Sequence, residues 1–197
     1  MNELLRLVGV THRYHGKTGE TEAIRSMDLS VEEGEFLGIV GPSGSGKTTL
    51  LSILAGILEP SSGKVERNIS FSEIGYMLQR DHLFEWRTIE ENVILGLEIR
   101  KIKTAERMQY ARSLLEKYNL GEFVKKKPSE LSGGMRQRVA LIRTLALRPK
   151  LILLDEPFSA LDFQTRLNVA EDVREIINKA RRACPSSRSR TPARRGR

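Results

Sequence analysis

Gly41-Pro42-Ser43-Gly44-Ser45-Gly46-Lys47-Thr48 carries the plainest chemistry in the chain. It fits G-x-x-x-x-G-K-[ST], a phosphate-cradling loop. Such a loop needs small residues, so that successive backbone N–H groups can turn inward around phosphate oxygens. A helix starting at the same point adds about +0.5 charge from its aligned peptide dipoles. In this pattern Lys47 reaches the β- and γ-phosphates, and the Thr48 hydroxyl ligates Mg²⁺. A second constellation is Leu151-Ile152-Leu153-Leu154-Asp155-Glu156, an apolar run that closes on two acids. A carboxylate at the C-terminal end of a strand lies where open α/β sheets place ligands. There Asp155 can hold Mg²⁺ through water. Glu156 can polarise an attacking water, which suits a phosphoryl transfer driven by positioning and charge. A third is Leu131-Ser132-Gly133-Gly134-Met135-Arg136-Gln137-Arg138. As a pattern it is equally an ordinary Ser-capped helix and a second anion site, with two glycines exposing backbone N–H groups.

The apolar spacing indicates the elements that must hold these groups. Phe36 to Val40 is expected to be a buried strand feeding the loop. Lys47 to Leu58 is expected to be the helix leaving it, closed by the turn Glu59 to Gly63. Ile69 to Met77 predicts a further strand. Thr104, with Glu106 in the first turn, predicts a helix with Met108, Ala111, Leu115 and Tyr118 on one face, ending at Gly121. Ser132 caps a helix on which Met135, Val139, Ile142 and Ala146 are in step, stopped by Arg148-Pro149. Leu151 to Leu154 has the unbroken apolar character of a parallel strand covered on both faces. Leu167 to Lys179 predicts a last amphipathic helix.

The 197 residues are 39% hydrophobic and 29% charged. That composition excludes collagen-like, wholly disordered and disulfide-scaffold classes, and the length suits one domain or one domain with a small appendage. No run approaches the ~20 apolar residues of a spanning helix. The N-terminus lacks the pattern of a signal peptide, and the one cysteine, Cys184, cannot pair within the chain. A cytoplasmic location is expected. The net charge of +8 is a C-terminal property, because residues 179–197 hold eight basic residues and no acid. The remainder is balanced, so nucleic acid is not an expected partner. Residues 183–197 have neither periodicity nor apolar content and are expected to be a basic disordered tail.

The order of glycine-rich loop, Gln79, LSGGMRQR, LILLDEP and Ser159-Ala160-Leu161-Asp162 resembles the ATPase subunit of an ABC transporter over roughly residues 1–180. The resemblance implies an α/β P-loop NTPase with a RecA-like core, an N-terminal antiparallel β portion and a helical insert at about 80–147. It implies ATP and Mg²⁺, held by Tyr14, Gly41, Pro42, Ser43, Gly44, Ser45, Gly46, Lys47, Thr48 and Thr49, with Tyr14 stacked on adenine. It makes Glu156 the base and Asp155, Thr48 and Gln79 the metal-side groups. Gln79 would also sense the γ-phosphate, and Lys47 would assist the chemistry. Ser132 and Gly134 would contact ATP bound in a second subunit, and Asp162 would couple the two sites. The implied partners are a second ATPase subunit, a transmembrane permease and, indirectly, a solute-binding protein. The implied place is the inner face of the cell membrane. Gln79 to Val93, with Phe84 and Trp86, is similar to the ATPases of nitrate, sulfonate and taurine importers. Glu85 stands where those have Pro. In the family this region docks on a coupling helix of the membrane subunit; a Trp beside Phe84 on a polar loop fits an interface anchor and equally a pair packed into the helical portion.

The family carries a further strand ending in a histidine that contacts the γ-phosphate. The three histidines here are His12, His15 and His82. Together with the abrupt change to Ser/Arg/Pro after Arg182, this gives the expectation that the ATP-binding domain, residues 1–182, is C-terminally incomplete. A frameshift or truncated reading frame, a true short variant and a basic arm for polyanions are the three readings of the tail. A non-catalytic nucleotide-binding remnant is the alternative function. Marginal stability and weak hydrolysis are expected if the segment is missing.

Overall fold

The computed structural model describes residues 2–16 and 19–156. The expectations placed on Ser159, Asp162, the helix Leu167 to Lys179 and the basic tail lie outside the described residues. Strands β1 (Glu3–Gly16) and β2 (Gly19–Glu32) pair antiparallel, and β3 (Ser62–Arg67) pairs antiparallel with the other edge of β1. Leu5 and Leu7 face the core, but so do Val10 and His12, which have the opposite parity. Alternation has a period of two, so one extra residue must intervene. The register shifts between Leu7 and Val10, where Gly9 takes φ 56° and donates its N–H to Asp28 Oδ1 at 2.8 Å. This bulge resets the face and keeps β1 apolar side inward.

Helix α1 (Lys47–Leu54) lays Leu50, Leu51, Ile53 and Leu54 on that face. It stops short of the expected Leu58. Gly56 takes φ 74°, and the N–H groups of Ile57 and Leu58 turn back to Ser52 O. A left-handed glycine just past the last turn is a common helix stop. Here a Cβ would also lie 2.0 Å from the Phe71 ring.

Strand β4 (Ile74–Met77) occupies only the end of the expected Ile69 to Met77, after a 3₁₀ turn at Phe71–Glu73. It pairs in parallel with β5 (Leu151–Leu154), Ile74 opposite Leu151 and Met77 opposite Leu154. Between them run α2 (Ile89–Ile99), α3 (Ala105–Lys117) and α4 (Gly133–Leu145). Each starts on a hydroxyl cap: Thr88 accepts from Glu91 N, Thr104 from Arg107 N and Ser132 from Met135 N. Helix α3 ends on Asn119 at φ 58° rather than at Gly121, with Leu120 N donating to Leu115 O at 2.7 Å. Asn is the residue that most readily replaces glycine in that conformation.

Phe36 to Val40 corrects the sequence reading. It is not a strand, and Phe36 and Val40 are 73% and 97% exposed. Among the described residues no strand runs alongside it to take its N–H and C=O groups. An apolar run alone does not make a ladder. An exposed, unpaired, β-prone segment is a self-association site. Phe36→Ser with Val40→Ser should therefore reduce light scattering of concentrated protein at unchanged helix content. Scattering that persists in the double variant would place the sticky surface elsewhere.

Candidate functional site

Gly41 to Gly46 forms a tight loop ahead of α1, with Ser45 N donating to Pro42 O. Gly44 and Gly46 sit at φ 79° and 85°. At Gly46 a Cβ would lie 2.3 Å from the carbonyl oxygen of Ala23 on β2. Glycine is needed there both for conformation and for close approach to the hairpin. The Lys47 ammonium arches back over the loop and donates to Gly41 O at 2.9 Å and Pro42 O at 2.8 Å. Thr48 is exposed next to it, while Thr49 is buried.

Tyr14, near the end of β1, reaches Thr49 through hydroxyl groups 3.1 Å apart. Its ring stands edge-on to His12, with centroids 4.7 Å apart at 80°. His12 is buried and fixed by Nδ1, 3.0 Å from Glu59 O. A carbonyl only accepts, so Nδ1 carries the proton. This places Tyr14, half-exposed, beside the glycine-rich loop and the first turn of α1.

The parallel pairing of β4 and β5 brings the second group together. Asp155 N donates to Met77 O at 3.0 Å, continuing the ladder past the strand ends. Two residues on from Met77, Gln79 Nε2 donates to Glu156 Oε2 at 2.9 Å. Glu156 takes φ 47°, an uncommon conformation for a side chain this long. Asp155 is 2% exposed, and its Oδ2 is buried without a hydrogen-bond partner. Such an atom suits a cation or its bound water. Among the described residues no cluster of three or more His, Cys, Asp or Glu would hold a metal by itself. Burial, with the Asp155 carboxylate adding to it, pushes the Tyr76 hydroxyl above its ordinary value against a contact with Ser52.

Ser132 and Gly134 lie at the start of α4, with Ser132 exposed. No hydrogen bond among the described residues joins them to the phosphate loop or to Asp155 and Glu156. Two groups escaped the sequence reading. Arg136 and Arg143 of α4 bind the turn after Gln79. Arg136 Nε donates to Asp81 Oδ2 at 3.1 Å, and Arg143 donates to the carbonyls of Asp81 and His82 at 2.6 and 2.8 Å. Burial pulls the Arg143 guanidinium below its ordinary value, and the Asp81 charge opposes this. Asn92, fully buried, accepts from Phe84 N and donates to the carbonyls of Phe84, Arg87 and Thr88. It holds the loop that presents Trp86, 73% exposed, against Phe84 at 4.8 Å. The available signal was Thr88-x-x-Glu91 before an apolar run, a capping box that fixes the start of α2.

A model of the ABC transporter family matches residues 24–159. The ABC transporter ATP-binding protein YtlC of Bacillus subtilis is 54% identical over 165 residues, covering 81% of this chain and 64% of that protein. This chain thus spans less than two thirds of that relative's length. The nitrate import ATP-binding protein NrtD of Synechocystis is 38% identical, over 87% of this chain and 66% of its own. Among solved structures, the dimeric bacterial ABC transporter cassette MJ0796 superimposes with a TM-score of 0.81 at 33% identity. That match covers 89% of this chain and 84% of the other.

Proposed function

The chain belongs to the ABC transporter family, and from that premise we propose that it binds and hydrolyses ATP to power an importer of a small solute. The observation that carries this reading is the meeting of Gln79, Asp155 and Glu156 at the adjoining ends of β4 and β5. In the proposal Gly41 to Thr49 cradle the phosphates and Lys47 neutralises them. Tyr14 stacks on adenine. Glu156 accepts the proton of the attacking water, and Gln79 orients that water or the γ-phosphate. Mg²⁺, held by Thr48, Gln79 and Asp155, would supply charge neutralisation at the phosphate oxygens. The exposed start of α4, with Ser132 and Gly134, contacts ATP on a second subunit. Two such subunits close on two nucleotides, and the closure is passed to a permease.

The solute is of the nitrate, sulfonate or taurine type. NrtD supports the anionic class, and the Phe84–Trp86 pair is the proposed contact with the membrane subunit. A solute-binding protein takes part only indirectly. The proposed place is peripheral, on the cytoplasmic face of the membrane; no described helix is long and apolar enough to cross it. The helices between residues 80 and 147 form the proposed insert of a domain spanning residues 1–182.

The test is a titration with a fluorescent ATP analogue, with and without Mg²⁺. Saturable binding that ATP displaces and EDTA weakens is the expected result. Signal that neither ATP nor EDTA alters would overturn the nucleotide reading.

A further inference from the structure

We infer that His12 is a positioning residue for the base of the nucleotide: its buried ring, pinned to the turn after α1, sets the Tyr14 ring in place before a ligand arrives. The inference rests on the nucleotide reading above and deepens it at the base, away from the phosphates. The two residues stand two apart on β1, and their rings cross at 80° with centroids 4.7 Å apart. Near-perpendicular contact is a favoured geometry for two such rings, so the pair resists rotation of either member.

Three hydrogen bonds lock this stretch of β1 to the turn that follows α1. Ser61 N donates to Thr11 O at 2.9 Å, and Arg13 N donates to Ser61 Oγ at 3.0 Å. Between them His12 Nδ1 donates to Glu59 O at 3.0 Å, which sets the plane of the imidazole. The other nitrogen, Nε2, is buried and has no hydrogen-bond partner among the described residues. A side chain placed there only to fill space would carry no such atom, because an unpaired buried acceptor is unfavourable. Tyr14 is thus held at two points, its ring by His12 and its hydroxyl by Thr49 on α1 at 3.1 Å. The rest of the ring is open to solvent. A stacking ring already fixed loses less freedom when a base docks than one that must first be ordered.

The experiment measures, by calorimetric titration, the affinity of each protein for MgATP and for magnesium tripolyphosphate, which has no base. The ratio of the two affinities isolates the contribution of the nucleoside. Tyr14→Ala, the reference, should lower that ratio about ten-fold, within the range of base–aromatic stacking. His12→Asn keeps a donor for Glu59 O but has no ring, and should lower the ratio about three- to ten-fold with tripolyphosphate affinity within two-fold. His12→Leu, which fills the site without a ring, serves the same purpose if His12→Asn folds poorly. His12→Phe restores a ring beside Tyr14 and should return the ratio to within two-fold of the unsubstituted value. In the double variant His12→Asn with Tyr14→Ala, the ratio should fall no further than in Tyr14→Ala, because both changes act on one ring. An unchanged ratio in His12→Asn or His12→Leu would overturn the inference. So would equal losses for both ligands, which mark a brace of the whole loop, or an unchanged ratio in Tyr14→Ala, which removes Tyr14 from the base. Failure of the unsubstituted chain to bind either ligand would instead overturn the nucleotide reading, and the inference with it.

Discussion

Glu156→Gln should lower ATP hydrolysis by about 10²–10⁴-fold, the usual contribution of a positioned base, and leave ATP binding within a few-fold. Glutamine has the shape of glutamate and can still accept the Gln79 N–H that now reaches Oε2. The backbone at φ 47° is equally demanding of both residues. What is lost is the capacity to take a proton from water. Phosphate release measures the first quantity, and displacement of a fluorescent ATP analogue the second. Glu156→Ala is the informative companion. It frees Gln79 Nε2, so it should disturb binding as well as hydrolysis. Hydrolysis by Glu156→Gln within three-fold of the unsubstituted rate would remove Glu156 from the chemistry, and the charge at Asp155 would have to be considered in its place.

How far these groups were legible depended on how local their determinants are. The phosphate loop is contiguous. Gly44 and Gly46 are required by their backbone angles, and Gly46 also by the approach of Ala23 O, and each leaves a mark in the sequence. Thr104 and Ser132 were legible because a hydroxyl caps its own next turn. The apolar run of β5 was legible as a buried parallel strand, but its partner was not, since pairing with β4 is a long-range choice. Phe36 to Val40 shows the cost of the same reasoning. Its composition is that of a buried strand, yet strand formation needs a neighbour, and composition does not supply one. The grip of Arg136 and Arg143 on Asp81 spans 55 and 62 positions, respectively. Arginines on a helix read by default as a solvated face, and only the fold reveals what they hold.

Lys47→Met is the companion test at the other end of the site, with an expected loss of ATP affinity of about 10–10²-fold. Hydrogen bonds to charged groups contribute roughly 1.5–3 kcal/mol, which converts to that range. The ammonium has three donors, and two are placed on Gly41 O and Pro42 O. Those carbonyls fix the ammonium above the loop and leave a donor for a phosphate oxygen. Methionine keeps most of the stem, so the packing of Leu50, Leu51 and Ile53 beneath it should survive, with the melting temperature little changed. The loss should grow along the series adenosine, ADP, ATP, because the lysine addresses the distal phosphates and not the base. The loss should also shrink at high salt, since screening weakens the lysine's attraction for the phosphates and methionine has no charge to screen. Equal losses for adenosine and ATP would mean that Lys47 supports the shape of the loop through its two carbonyl contacts rather than meeting the phosphates. The measured dependence on phosphate number thus separates the structural bonds of this ammonium from the one that would recognise nucleotide.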